Sequence, residues 1–160
     1  MVAVGLLSWS QLGTVGNGCR EPANGPPEPD DCGDPGSGAV IATLEIGPDG
    51  SGAFVPWQDG ETVPITYGPQ GGAMILLRIR ATGTALADCM LQTTHISGDA
   101  GLSELGSNET ALRWYDDPGG GRATRTAYVI LDREPNLAEQ VHVETTVLGV
   151  TAMRTLATSQ

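Results

Sequence analysis

Glycine and proline interrupt this chain too often for long helices. There are 23 glycines and 11 prolines among 160 residues. Proline removes a backbone donor and blocks a helix interior, and glycine raises the entropy lost on ordering. Between these breakers lie short apolar stretches rich in Val, Ile and Thr, which fit a pleated surface. The pattern predicts an all-β chain, and the length suits one domain with an ordinary core.

Strands are expected at 39–46, 52–57, 62–67, 73–81, 85–96, 110–116, 123–132 and 141–150, with 151–159 a last strand or a tail. "DG" pairs at Asp49-Gly50 and Asp59-Gly60 read as tight turns. The clearest strand is 73–81. There Ala73, Ile75, Leu77, Ile79 and Ala81 alternate with Met74, Leu76, Arg78 and Arg80, so the first set faces the core. At 85–96, Cys89, Leu91, Thr93 and His95 share one face and Met90, Gln92 and Thr94 the other. Leu112 and Trp114 share a face, as do Val141, Val143, Thr145 and Val147. The run 123–132 is apolar on both faces in its second half and reads as a central strand. Residues 97–109 read as a turn-rich connection, and 133–140 as a connection holding one helical turn. Seven to nine short antiparallel strands with turns every 8–12 residues predict an immunoglobulin-like β-sandwich, with a jelly roll or small β-barrel as the alternative.

The formal charge is −11, from 19 acids and 8 bases, and every base is arginine. Such a surface repels phosphate backbones and anionic head groups, so neither nucleic acid nor a bare lipid surface is an expected partner. Residues 1–18 carry an apolar start, Val2 to Leu7, broken by Ser8, Ser10 and Gln11. They read as a leader or the remnant of an export signal. Residues 19–38, "CREPANGPPEPDDCGDPGSG", read as a Pro/Gly/acid-rich tether before a domain spanning 39–160.

Three cysteines punctuate this layout. Cys32 and Cys89 are the expected disulfide pair, and Cys19, at the start of the tether, is a candidate lipidation site. Any membrane association is then expected through that anchor alone. The cysteine spacings contain no C-x-x-C pair, so no zinc site is expected.

Catalytic and cofactor chemistry finds little footing. "GPQGG", Gly68 to Gly72, lacks the following helix and lysine of a phosphate loop, and reads as a hinge into a core strand. His95 and His142, with Met74, Met90 and Met153, show no ligand spacing. Asp116 and Asp117 fit no calcium-loop pattern. No nucleophile elbow or carboxylate pair stands out. No catalytic residue, metal or cofactor is expected.

The segment "DGETVPITYGPQGGAMILLRIRATG", Asp59 to Gly83, resembles uncharacterised exported proteins and lipoproteins of myxobacteria and related high-GC bacteria. They share an acidic turn, a short strand ending in "GPQGG", and a strand running out to Arg and Gly. The resemblance implies an envelope or extracellular β-domain after a Cys-bearing tether, and carries over no catalytic residues. The leading expectation is a non-enzymatic surface interaction or structural module with a protein or glycan partner. Arg78, Arg80, Trp57 and Trp114 are its candidate partner-facing residues. A carbohydrate- or metal-binding module and a subunit assembling through edge strands are the alternatives.

Overall fold

A computed structural model describes residues 32, 35–98, 103–136 and 139–159. The leader, Cys19 and most of the tether lie outside them. All regular structure among the described residues is β: β1 (Val40–Pro48), β2 (Thr62–Pro64), β3 (Thr66–Tyr67), β4 (Ala73–Thr84), β5 (Cys89–Gly98), β6 (Ser103–Asp116), β7 (Arg122–Thr124), β8 (Ala127–Ile130), β9 (Gln140–Val147) and β10 (Val150–Ser159). No helix among them is long and apolar enough to cross a membrane. The strands form one sheet in the order β1-β4-β7-β6-β5-β9-β10-β2, with β3 and β8 also paired to β4.

The sheet curls until it nearly closes like a barrel. Two connections draw its ends together. The run Thr62–Tyr67 pairs first with β10, through β2, and then with β4, through β3. Between the two, the Ile65 N–H donates to the Ser159 carbonyl at 3.1 Å. Trp57 spans the seam between β1 and β10. Its N–H donates to the Ile46 carbonyl at 2.9 Å, and its carbonyl accepts from Arg154 Nε at 2.7 Å. The strand β2 runs parallel to β10, so the expected all-antiparallel arrangement holds everywhere but there.

The core alternation of β4 is as the sequence dictates. Ala73, Ile75, Leu77, Ile79 and Ala81 are buried, and Leu112, Trp114, Val141, Val143 and Val147 join them in one cluster. On β5 the core takes the Met90, Gln92, Thr94 face. Thr94 Oγ1 donates to Gln92 Oε1 at 2.6 Å, and Thr145 Oγ1 lies 2.8 Å from Thr94 Oγ1. With the Thr94 proton committed to Gln92, Thr145 must donate to Thr94. This chain of hydrogen bonds satisfies the two hydroxyls and Gln92 Oε1, while Gln92 Nε2 is buried without a partner among the described residues.

Four sequence expectations need correction. Residues 52–57 form no strand; Gly52 has φ +110 and Pro56 lacks a donor, so the segment crosses the sheet as an irregular strap. The expected strand 62–67 is split in two, because its halves pair with different ends of the sheet. The expected central strand 123–132 breaks at Arg125-Thr126 into β7 and β8, and Ile130 is 55% exposed. The expected turn-rich connection 97–109 is largely strand, since β6 begins at Ser103 and β5 runs to Gly98. There Leu105 is fully buried, and Gly106 allows the Ile130 carbonyl to approach, where a Cβ would sit 2.3 Å from that oxygen.

"GPQGG" forms the hairpin turn between β3 and β4. The Gly68 N–H donates to the Gly72 carbonyl and the Gly71 N–H to the Gly68 carbonyl, each at 2.9 Å, and Gly71 adopts φ +80. A left-handed residue at this point is the reason for glycine. The loop therefore aims β4 into the core.

Candidate functional site

The arginine face of β4 is where the candidate residues meet. Alternation places Arg78 and Arg80 opposite the core side, and the 49–57 strap is laid across them. Phe54 is buried there, its ring centroid 4.9 Å from the Arg80 guanidinium carbon and 5.9 Å from that of Arg78. The Phe54 N–H donates to Asp117 Oδ1 at 2.9 Å. Asp117 Oδ2 accepts from the Gly119 N–H at 2.9 Å and lies 3.5 Å from Arg80 Nη1. Arg80 also donates twice to Glu45 Oε2, from Nε at 2.8 Å and from Nη2 at 2.5 Å.

The two arginines are therefore not equivalent. Arg80 is paired with Glu45 and Asp117 and covered by Phe54, so it is a strut beneath the strap rather than a partner-facing group. Arg78 donates only to carbonyl oxygens: Nε to Thr124 at 3.0 Å and Nη1 to Gly52 at 3.1 Å. It lines an open cleft of about 550 Å³ between the strap and the turn at Asp116–Pro118. Arg125 and Tyr115 line the same cleft, with the Arg125 guanidinium 4.5 Å from the Tyr115 ring centroid. Thr126 closes one side by donating to Asp49.

Trp57 and Trp114 are each 2% exposed. Their rings belong to the core cluster, which corrects the expectation that they face a partner. Large rings contribute most when their apolar area leaves water, and on this curled sheet both find room inside. Cys32 and Cys89 are joined, with a sulfur–sulfur distance of 2.08 Å and Cα atoms 5.8 Å apart. The Gly36 N–H donates to the Cys89 carbonyl at 2.9 Å. Cys32 and Gly36 are thus fastened to the domain, although both fall inside the stretch read as tether.

Asp117 is buried, and its oxygens face N–H donors rather than space for a cation. His95 lies 3.9 Å from Glu104, and His142 Nδ1 lies 2.9 Å from Thr155 Oγ1. No group of three or more His, Cys, Asp or Glu among the described residues is placed to hold a metal ion.

A second ionic knot lies where β9 begins. Arg133 donates to both oxygens of buried Glu139, at 2.7 and 3.0 Å. These bonds, with the Asn136 N–H, lower the Glu139 pKa to about 2. At the surface Tyr67 donates to Glu134, which raises the pKa of the phenol.

The sequence reading singled out Arg78 and Arg80, weighed Asp117 only as a calcium ligand, and missed Phe54 and Glu45. The only signal for Asp117 was the turn "DDPGGG", where an Asp before Pro-Gly often bonds its own backbone two residues on. No family model matches this chain, and no curated protein or solved structure shows significant similarity to it.

Proposed function

We propose that this chain is an exported, non-enzymatic β-domain, built as a small barrel, that serves the cell envelope or extracellular space as a surface interaction or structural module. The bridge between Cys32 and Cys89 carries this reading. Disulfides persist in oxidising compartments and are rare where thiol reductants prevail. Its position fits the role, because it fastens the end of the tether onto the domain. The acidic charge favours solubility in that setting and disfavours nucleic acid and bare anionic lipid. The resemblance to exported proteins and lipoproteins of high-GC bacteria points the same way, with Cys19 as the anchor if lipid is attached.

The test is thiol alkylation followed by intact mass on protein recovered from the exporting host's own fractions. The expected result is protein in the envelope or medium with Cys32 and Cys89 refractory to alkylation until reduced. Cytoplasmic protein with both thiols titratable would overturn the proposal. A mass increment of lipid on a Cys19-containing peptide would add the anchor.

A further inference from the structure

We infer that the cleft beside Arg78 is a binding site for a sugar acid, a hydroxylated ligand bearing a single carboxylate. The inference deepens the interaction-module reading and rests on it only for biological setting, since binding is measured on purified protein wherever the chain resides.

The charge of Arg78 calls for an anion. A guanidinium carries five N–H donors. Two of them are used here, on the carbonyls of Thr124 and Gly52. Both N–H groups of Nη2 and one of Nη1 have no acceptor among the described residues. The side chain is half-buried, and no described carboxylate lies within ion-pair distance of it. Arg154 is likewise half-buried and bonded to carbonyls, but among the described residues it is Arg78 that lines this cleft. Its two carbonyl contacts hold the guanidinium plane fixed, and a fixed fork is what bidentate carboxylate recognition requires.

The acids that share the cleft restrict which anion enters. Asp49 accepts from Thr126, and Asp117 from Phe54 and Gly119. Asp116 lies 3.5 Å from Arg122 on the far side of the turn, with its side chain 92% exposed. Three carboxylates stand here against the two guanidiniums of Arg78 and Arg125, a balance that disfavours a phosphate dianion or a polyanion more than a single carboxylate on Arg78. The rest of the lining mixes polar Ser51, Thr126 and Asp49 with the apolar surfaces of Tyr115, Pro118 and Ala123. Such a mixture suits a sugar ring, whose hydroxyls donate and accept at its edge while its C–H face lies against apolar surface.

The experiment titrates the purified oxidised protein with glucuronate, glucose, acetate and inorganic phosphate, followed by NMR of the arginine Nε resonances and by calorimetry. Expected is saturable glucuronate binding that shifts the Arg78 Nε signal, at least tenfold tighter than glucose, acetate or phosphate. Arg78→Gln should weaken it at least tenfold, and Arg78→Lys should recover only part, because an ammonium cannot offer the planar fork. Circular dichroism and thermal melts establish that each variant is folded, and the wild-type shift map stands if either is not. No binding of glucuronate, equal binding of glucose, equal binding of acetate, or a shift map centred away from Arg78 would each overturn the assignment.

Discussion

The backbone N–H of Phe54 is held by the carboxylate of Asp117, 2.9 Å away and 63 residues later in the chain. This bond ties the strap between β1 and β2 to the turn between β6 and β7, and it closes one wall of the cleft. The same carboxylate faces Arg80, which reaches on to Glu45 in β1. One buried acid thus links three separate parts of the sheet.

Replacing Asp117 with Ala leaves the Phe54 N–H without its acceptor and Arg80 with only Glu45. Loss of one partner in a buried, charge-assisted set costs about 2–4 kcal/mol. Urea unfolding of Asp117→Ala should show that loss. Limited proteolysis should cut within 49–58 sooner than in the parent. A variant with unchanged stability and unchanged cleavage would mean that the strap is held by Phe54 burial alone.

The disulfide closes a loop between residues separated by 57 in sequence. On the chain-entropy model this stabilises the fold by about 4 kcal/mol. Cys32→Ser with Cys89→Ser should therefore lower the urea midpoint strongly and steepen the unfolding slope, because the unbridged unfolded chain exposes more surface. Far-ultraviolet circular dichroism should remain that of a β protein, because the bridge lies at the start of the domain and not within its core cluster.

Glu139 supplies an acid-sensitive contribution. Its folded pKa, about 2, lies below the ordinary carboxylate value of 4.5, chiefly because Arg133 donates to it. A depressed carboxylate stabilises the folded state above its unfolded pKa and loses that stabilisation as pH falls through the folded one. Unfolding free energy measured against pH should therefore fall between about 4.5 and 2. In Glu139→Gln that decline should be shallower by the uptake of roughly one proton, and the variant should be less stable than the parent at neutral pH. Equal slopes in the two proteins would assign the acid limb to other groups.

Gly106 tests the placement of β6 against β8. A Cβ there would lie 2.3 Å from the Ile130 carbonyl oxygen, which is backbone and cannot swing aside. Gly106→Ala should destabilise by about 1–3 kcal/mol, as overpacking does. Gly72→Ala, where a Cβ meets nothing within 4 Å, is the matched control and should be near neutral.

Local sequence was enough wherever a pattern repeats along one segment. The alternation from Ala73 to Ala81, the faces of 110–116 and 141–147, the turn at Gly68–Gly72 and the all-β class were all legible, because period two and left-handed glycine act within a few residues. The pairing of Cys32 with Cys89 was legible because only three cysteines occur and one stands apart. What the tertiary structure alone decided are relations between distant segments. Ser103–Glu109 reads as loop, yet becomes strand because β5 supplies its partners. The run 123–132 reads as one strand, yet breaks because β7 pairs with both β4 and β6 while β8 pairs with β4 alone. Arg78 and Arg80 look alike in sequence. Only the path of the strap, set by Phe54, Asp117 and the curl of the sheet, makes one an acid-paired strut and leaves the other lining a cleft.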